Sequence, residues 1–419
     1  MAMAAPKRCA ADDLLQVYAE ARAADPLLAS ADAARGVQAE LTVQARAGLL
    51  PQWSINAVEA RAQQDGTRQH QLTSSLSQVV FDLGQLRQWD AASSLLSAQD
   101  AAVRAAEQDL CARVASAYFG VLLAQASLAT TAANEDAFSQ QVSQSQARFN
   151  AGLVAAVDVD QARAFHALSR GATVQARQAL LDAKEALAQI TGRAPGELKP
   201  LAADLPALPP QPTDPQLWSQ QALQANPGLQ AQRLGLTASE QRIAAARAAH
   251  WPTLSVGVDS SNLRQTGGAQ LGNGSTQTQL ALRLNIPLFA AGATQSQVRQ
   301  AGYQRDATRD QLEISQRALL RETQAQYQAV LAGAALMQSG RAAVEASTQM
   351  LASTRAGQPL GTRTMTDLLQ AIQTQAAAQN AEAQARHRYV LATLLLQRAA
   401  GSLGEAELAA VNLLLKDPI

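Results

Sequence analysis

Residues 276–301 read TQTQLALRLNIPLFAAGATQSQVRQA, and two structural periods meet inside them. Leu280, Leu282, Leu284, Ile286 and Leu288 take every second position, while Gln279, Ala281, Arg283 and Asn285 take the positions between. A period of two places the leucines on one face of a strand and the polar side chains on the other. Pro287 has no backbone N–H to give to a ladder, so the strand must finish there. Beyond Gly292 the pattern becomes a long helix rich in Gln, Ala and Arg with a thin apolar stripe. Strand and helix therefore need different surroundings in one molecule.

The same order occurs twice along the chain. A helical pattern from 13 to about 47, with Asp12 or Asp13 as its N-cap, ends at Pro51. Two short strands, 53–61 and 70–81, follow around a turn at Asp65-Gly66 and form a first hairpin within 52–81. A helix over 85–147, about 95 Å long at 1.5 Å per residue, leads through Gly152 to a second helix over 158–191. Seven prolines, at 195, 200, 206, 209, 210, 212 and 215, mark an ordered or semi-rigid linker over 195–215 that divides the chain. A helix over 216–250, a hairpin over 253–289 with a glycine-rich tip at 267–274, a helix over 294–355, a turn at 357–363 and a helix over 366–401 complete the second pass. The first structural repeat is thus residues 1–200 and the second 213–419.

Register supports the duplication. An offset of 201 pairs Pro26 with Pro227 and Pro51 with Pro252; after the hairpins an offset of 209 pairs Tyr118 with Tyr327, Gly152 with Gly361, Asp158 with Asp367, Gln161 with Gln370 and Gly192 with Gly401. The difference of eight residues falls in the hairpins, where loops absorb length changes that helix registers do not. Val330, Met337, Val344 and Leu351 recur every seven residues, as in helices that supercoil on neighbours. The lengths suggest a long rod lying beside two short helices placed end to end.

Composition narrows the function. Aromatic residues make up 4% and charged residues 16% of 419, too little for a thick globular core and apt for long helices packed through small side chains. Net charge is zero with no basic run, which argues against a nucleic-acid partner. Cys9 and Cys111 lack metal-ligand spacing, and Cys111 reads as a small buried helical residue. His70, His166, His250 and His387 form no paired motif, no nucleophile elbow is present, and the glycine-rich 267–274 segment lacks the lysine of a phosphate loop. The expectation is a protein that is not an enzyme and takes no cofactor. No run of 18 apolar residues occurs, so no membrane-spanning helix is expected, and no secretory signal is visible behind the first residues.

Four strands cannot close a barrel, and an open sheet with a leucine face is unstable in water. Membrane barrels need at least about eight strands, so such a chain must oligomerise to make one. Trp53, Trp251, Phe81 and Phe289 stand near strand ends, where an aromatic girdle would lie. A coiled-coil scaffold protein of the cell envelope is the rival reading, but it has no use for four alternating strands.

The segments SQVVFDLGQLRQ (77–88), ARFNAGLVAAVDVDQAR (147–163), LAQITG (187–192), NIPLFAAGATQSQVRQA (285–301) and GTRTMTDLLQA (361–371) resemble the TolC family of outer-membrane exit ducts. The resemblance implies a homotrimer in which each chain gives four strands to a twelve-stranded transmembrane β-barrel, continued by an antiparallel coiled-coil helical barrel across the periplasm. It implies an outer-membrane location, a periplasmic adaptor and an inner-membrane RND or ABC transporter as partners, and service in efflux or type I secretion. It further implies that the turn end is a gated entrance. By motif match Asp158 and Arg363 take linking positions, Gln358 stands where a tyrosine is frequent, Asp367 takes the first acidic position of the pore constriction, and Gln370 replaces the second. Gly152 and Gly361 make the tip turns, and Leu280, Leu282, Leu284, Ile286 and Leu288 face lipid. The plainer account of Asp158 and Asp367 is that both are helix N-caps, and that Arg363 is a solvated turn residue.

Overall fold

The computed structural model describes residues 11–63, 67–202, 204–266 and 274–416. The turn at Asp65-Gly66, most of the glycine-rich 267–274 tip and Cys9 lie outside the described residues. Within them the element order is α1 (Leu14–Ala24), α2 (Pro26–Ala47), β1 (Gln52–Arg61), β2 (Arg68–Phe81), α3 (Leu83–Asn150), α4 (Ala156–Thr191), α5 (Pro215–Ala225), α6 (Pro227–Ala248), β3 (Thr253–Thr266), β4 (Gly274–Asn285), α7 (Ala293–Gly357), α8 (Met365–Ala400) and α9 (Glu405–Asn412). Two compact units result, and neither is a half of the sequence: one comprises 1–29, 104–226 and 317–419, the other 30–103 and 227–316.

Two helices expected to be continuous are each broken once. Pro26 and Pro227 have no N–H for an i−4 carbonyl, so one helix ends at Ala24 and the other at Ala225, and a new helix starts with proline in its first turn. Asp25 caps the new α2 through the Leu27 amide at 3.1 Å. At the chain start Asp13, and not Asp12, is the N-cap, in a reciprocal capping box with Gln16. Asp12 instead bridges to Leu198.

The first unit is built around Leu14, Val17, Tyr18, Leu110, Val114, Tyr118, Phe119, Leu187, Met337, Leu394 and Leu408, all buried. The proline-rich segment belongs to this core: Leu198, Leu201 and Leu205 are buried there. The tyrosines that pair at the 209 offset both hold this segment. Tyr118 donates its hydroxyl to the Lys199 carbonyl at 2.9 Å, and Tyr327 donates to the Thr213 carbonyl. Tyr389 donates to Leu208 O at 2.9 Å, and Arg341 to Leu205 O at 3.0 Å. A linker whose carbonyls are bound at 199, 205, 208 and 213 is a structural member of the unit. Its prolines remove donors and leave those carbonyls to side chains.

The absence of 18 consecutive apolar residues does not carry the exclusion placed on it. By length and composition α3 contains an 18-residue window apolar enough to cross a membrane. Its large apolar side chains at Leu110, Val114, Tyr118 and Phe119 are buried in the core of the first unit.

In the second unit the four strands form one antiparallel sheet in the order β1-β2-β3-β4. Asp82 caps α3 through the Gln85 amide at 3.0 Å, so the strand passes into the helix within one residue. Polar side chains pin α2 to α3 in the same unit: Arg35 reaches Asp100 at 2.6 Å, and Thr42 reaches the Ala92 carbonyl at 3.2 Å.

Candidate functional site

In the sheet the strict alternation of β4 becomes one continuous apolar face. Leu284 is opposite Leu254, Leu282 opposite Val256 and Leu280 opposite Val258. Val258 is opposite Leu76, and Leu76 opposite Trp53. A register irregularity between Val79 and Phe81 brings Phe81 opposite Leu254, and so onto this face. Leu280, Leu282 and Leu284 are 73%, 70% and 61% exposed, and Ile286 and Leu288, just past the strand end, are exposed too. The other face is polar. Arg283 reaches Asp259 at 3.0 Å, and Gln71 reaches Ser261 at 3.4 Å. β1 and β4 leave open edges, which in water would be a site of uncontrolled pairing. Of the four girdle aromatics, Trp53 and Phe81 lie within strands, while Trp251 and Phe289 fall just outside them. In an antiparallel meander all four mark the same end of the sheet.

The tip turns belong to the first unit and share one geometry. After α3, Gly152 at φ +73° donates to Phe149 O at 2.9 Å, and Leu153 donates to Arg148 O at 2.9 Å. After α7, Gly361 at φ +73° donates to Gln358 O at 3.1 Å, and Thr362 donates to Gly357 O at 3.2 Å. Both are Schellman closures, with glycine at the left-handed position and two helix carbonyls satisfied. Gly357 is part of the second turn's packing, because a Cβ there would stand 2.7 Å from the Thr362 hydroxyl and 3.0 Å from Arg363 Cγ.

The helices that leave the turns differ. α8 starts with Thr364 as N-cap; its hydroxyl accepts from the Asp367 amide at 3.1 Å, and the Asp367 carboxylate accepts from the Thr364 amide at 2.9 Å. Asp367 is therefore the third-position member of a capping box and not the N-cap. The Thr364 amide and hydroxyl, with the positive charge of Arg363 beyond them, hold its carboxyl below the usual carboxylate range. α4 starts at Ala155, which has no capping side chain. Asp158 is again the third residue of its helix, not the N-cap, and its amide bonds Ala155 O at 3.1 Å. Its carboxylate has no partner within the chain among the described residues, and the Arg363 guanidinium makes no hydrogen bond or ion pair there either. The chain thus brings Arg363 near Asp367 but does not join Asp158 to Arg363. Gln358 sits half-buried in the turn, its amide on Thr354 O at 3.1 Å, and Gln370 is exposed on α8.

The contacts that fix α4 and α8 at the tip escape the sequence reading. Thr366 donates to Gln161 at 2.9 Å, and Met365 is buried with the Gln141 amide 3.2 Å from its sulfur. Phe138 and Phe165 pack at 5.5 Å between centroids. The Thr364-x-x-Asp367 spacing is a readable signal for the capping box.

A meander with one exposed apolar face, very long helices and paired helix turns are the elements of an outer-membrane exit channel. The family model described as outer membrane efflux protein matches residues 17–193 and 218–402. The outer membrane protein TolC of Escherichia coli (strain K12) is 31% identical over 426 residues, covering 98% of this chain and 86% of that one. The alkaline protease secretion protein AprF of Pseudomonas aeruginosa is 28% identical over 350 residues, covering 81% of this chain and 71% of that one. The crystal structure of the outer membrane protein VceC from Vibrio cholerae is similar with a TM-score of 0.79 at 20% identity, over 93% of this chain and 96% of that one. The chain belongs to the outer membrane efflux protein family. It is an outer-membrane channel protein of the efflux and type I secretion class, with the helical and β-barrel fold of that class.

Proposed function

We propose that three copies of the chain assemble into one exit duct, each giving four strands to a twelve-stranded barrel. The observation that carries this reading is the sheet: two open edges and one exposed leucine face are stable together only when the edges meet neighbours and the face meets lipid. The helices then form a periplasmic tunnel that takes cargo from an inner-membrane RND or ABC transporter through a periplasmic adaptor. Residues 1–200 and 213–419 act as two structural repeats joined by the 195–215 segment.

In this reading the tip turns make the entrance. Arg363 and Asp158, whose side chains make no hydrogen bond or ion pair among the described residues, link neighbouring helix pairs and hold the entrance shut; Gln358 is a weaker contributor than a phenol would be. Asp367 from each chain supplies one carboxylate ring to the constriction, and Gln370 supplies amides where a second acidic ring would stand. Wet ion pairs are individually weak, about 0–1 kcal/mol, so closure depends on symmetric copies acting together.

Planar-bilayer conductance tests the proposal. Arg363→Ser should raise single-channel conductance. Asp367→Asn should lower cation preference and block by multivalent cations while the cap acceptor is retained. Unchanged conductance in the first variant and unchanged selectivity in the second would place the gate elsewhere.

A further inference from the structure

The face that is apolar at one end of the sheet becomes cationic at the other. On β3 the residues of that face run Leu254, Val256, Val258, Ser260, Asn262, Arg264; on β2 they run Leu76, Ser74, Leu72, His70, Arg68; on β1 they run Trp53, Ile55, Ala57, Glu59, Arg61. The register brings Arg61 directly opposite Arg68 and His70 directly opposite Arg264. Like charges placed opposite one another weaken a strand pair. His70 lies 3.9 Å from Glu59, the one acid in these rows. Arg61, Arg68 and Arg264 are exposed and have no ion pair among the described residues. The opposite face at this level carries Val58, Ala60, Gln69, Gln71, Leu263 and Gln265, with no charge at all. The cations are thus confined to the face that continues the leucine band. A hollow of about 590 Å³ at this level is lined by Glu59, His70, Leu72, Asn262 and Arg264, with Val58 and Gln71 of the intervening positions also contributing.

Depth identifies the occupant. Ten residues separate Leu254 from Arg264, about 34 Å along the strand, or about 25 Å of height at a tilt of about 40–45°. That is the height of a barrel's apolar band, so the arginines stand where hydrocarbon gives way to headgroups. Guanidinium groups bind phosphate oxygens through paired N–H donors, and anionic surfaces attract such residues. We infer that Arg61, Arg68 and Arg264, with His70 beside them, form a binding surface for phosphate-bearing lipid headgroups in the leaflet at the hairpin-tip side. The bound phosphates compensate the repulsion between Arg61 and Arg68.

This inference rests on the barrel orientation proposed above, and the test separates the two. Native mass spectrometry of the full-length protein in neutral detergent would titrate diphosphorylated lipid A, its dephosphorylated form and inorganic phosphate. The expected result is at least a tenfold preference for the phosphorylated lipid. It should be lost in the Arg61→Gln/Arg68→Gln/Arg264→Gln variant, retained in Arg283→Gln on the opposite face, and not displaced by millimolar phosphate. Equal retention by the triple variant, or equal loss in Arg283→Gln, overturns the inference, and displacement by free phosphate overturns the lipid assignment. In parallel, brominated acyl chains should quench the fluorescence of Trp53 and Trp251, an effect reduced in Trp53→Phe and removed in Trp53→Phe/Trp251→Phe. Failure of that quenching is failure of the barrel orientation itself.

Discussion

Leu280 is where the lipid-facing assignment can be put under most strain. On β4 the apolar-face row runs Leu284, Leu282, Leu280, Thr278, Thr276, Gly274, and Leu280 is the leucine nearest its middle. Leu280→Arg puts a guanidinium near the bilayer midplane at a side chain that is 73% exposed within the chain. The cost expected there is about 2–4 kcal/mol, a factor of about 30 to 1000 in the folding equilibrium. Thr276→Arg, on the same face but close to the cationic rows, should cost only about 0–1 kcal/mol because the side chain reaches headgroups. Gln279→Arg, one residue away, points to the polar face beside Asp259 and should be near neutral. The assay is urea-dependent folding into lipid vesicles, read by the resistance of folded protein to gel denaturation. Equal costs at 279 and 280, or no decline from 280 to 276, would refute both the facing and the depth.

Two further perturbations test the first unit. Gly361 and Gly401 both have positive φ, but a Cβ at 361 meets open space while one at 401 would stand 2.7 Å from the backbone of Ala225 and Asn226. Gly361→Ala should therefore cost only the left-handed strain, about 1–2 kcal/mol, and Gly401→Ala distinctly more; equal shifts in melting temperature would show that the 401 approach does not matter. Asp25 is buried beneath Arg113 and is held below the usual carboxylate range: burial pushes its carboxyl up, and the Arg113 guanidinium with the Leu27 and Leu28 amides more than reverses this. A depressed folded pKa contributes stability above the unfolded value, about 3.9, and that contribution is lost as pH falls through the folded value. Arg113→Met leaves the buried carboxylate with only its backbone amides and no countercharge, so it should destabilise by about 3 kcal/mol at neutral pH and by progressively less as acid protonates Asp25; a pH-independent cost in thermal unfolding would contradict this.

What was legible in the sequence was whatever repeats along one chain. Alternation at 280, 282 and 284 and the finishing Pro287 fixed the last strand to within a few residues of its observed end at Asn285. The prolines at 26 and 227 stand out as a matched pair, yet the apolar pattern continues on either side of them and hides the helix break that the missing donor causes. The 195–215 segment reads as a linker by composition, since nothing local says that Leu198, Leu201 and Leu205 are buried by distant helices. Side-chain partners such as Thr366 with Gln161 join positions 205 apart in sequence, and no local pattern announces them.

The two tip turns show how duplicated backbone can carry different chemistry. Gly152 and Gly361 have the same φ and the same paired closures, so the turns impose the same exit on α4 and α8. At the N-cap, however, one has Ala155 and the other Thr364. With threonine present, the carboxylate three residues on is drawn back onto the backbone and kept ionised there; with alanine, the Asp158 carboxylate accepts no hydrogen bond among the described residues. Of two residues in equivalent positions, Asp367 is thus oriented by its own helix as a fixed charge, while Asp158 has no such tether among the described residues, which is what the proposed link to a neighbouring chain requires. A swap tests the point. Ala155→Thr should draw Asp158 into a capping box of its own and, if the proposed link to Arg363 exists, compete with it, raising conductance toward that of Arg363→Ser while stabilising α4. Conductance unaffected by a helix that has become more stable would mean that Asp158 takes no part in closure.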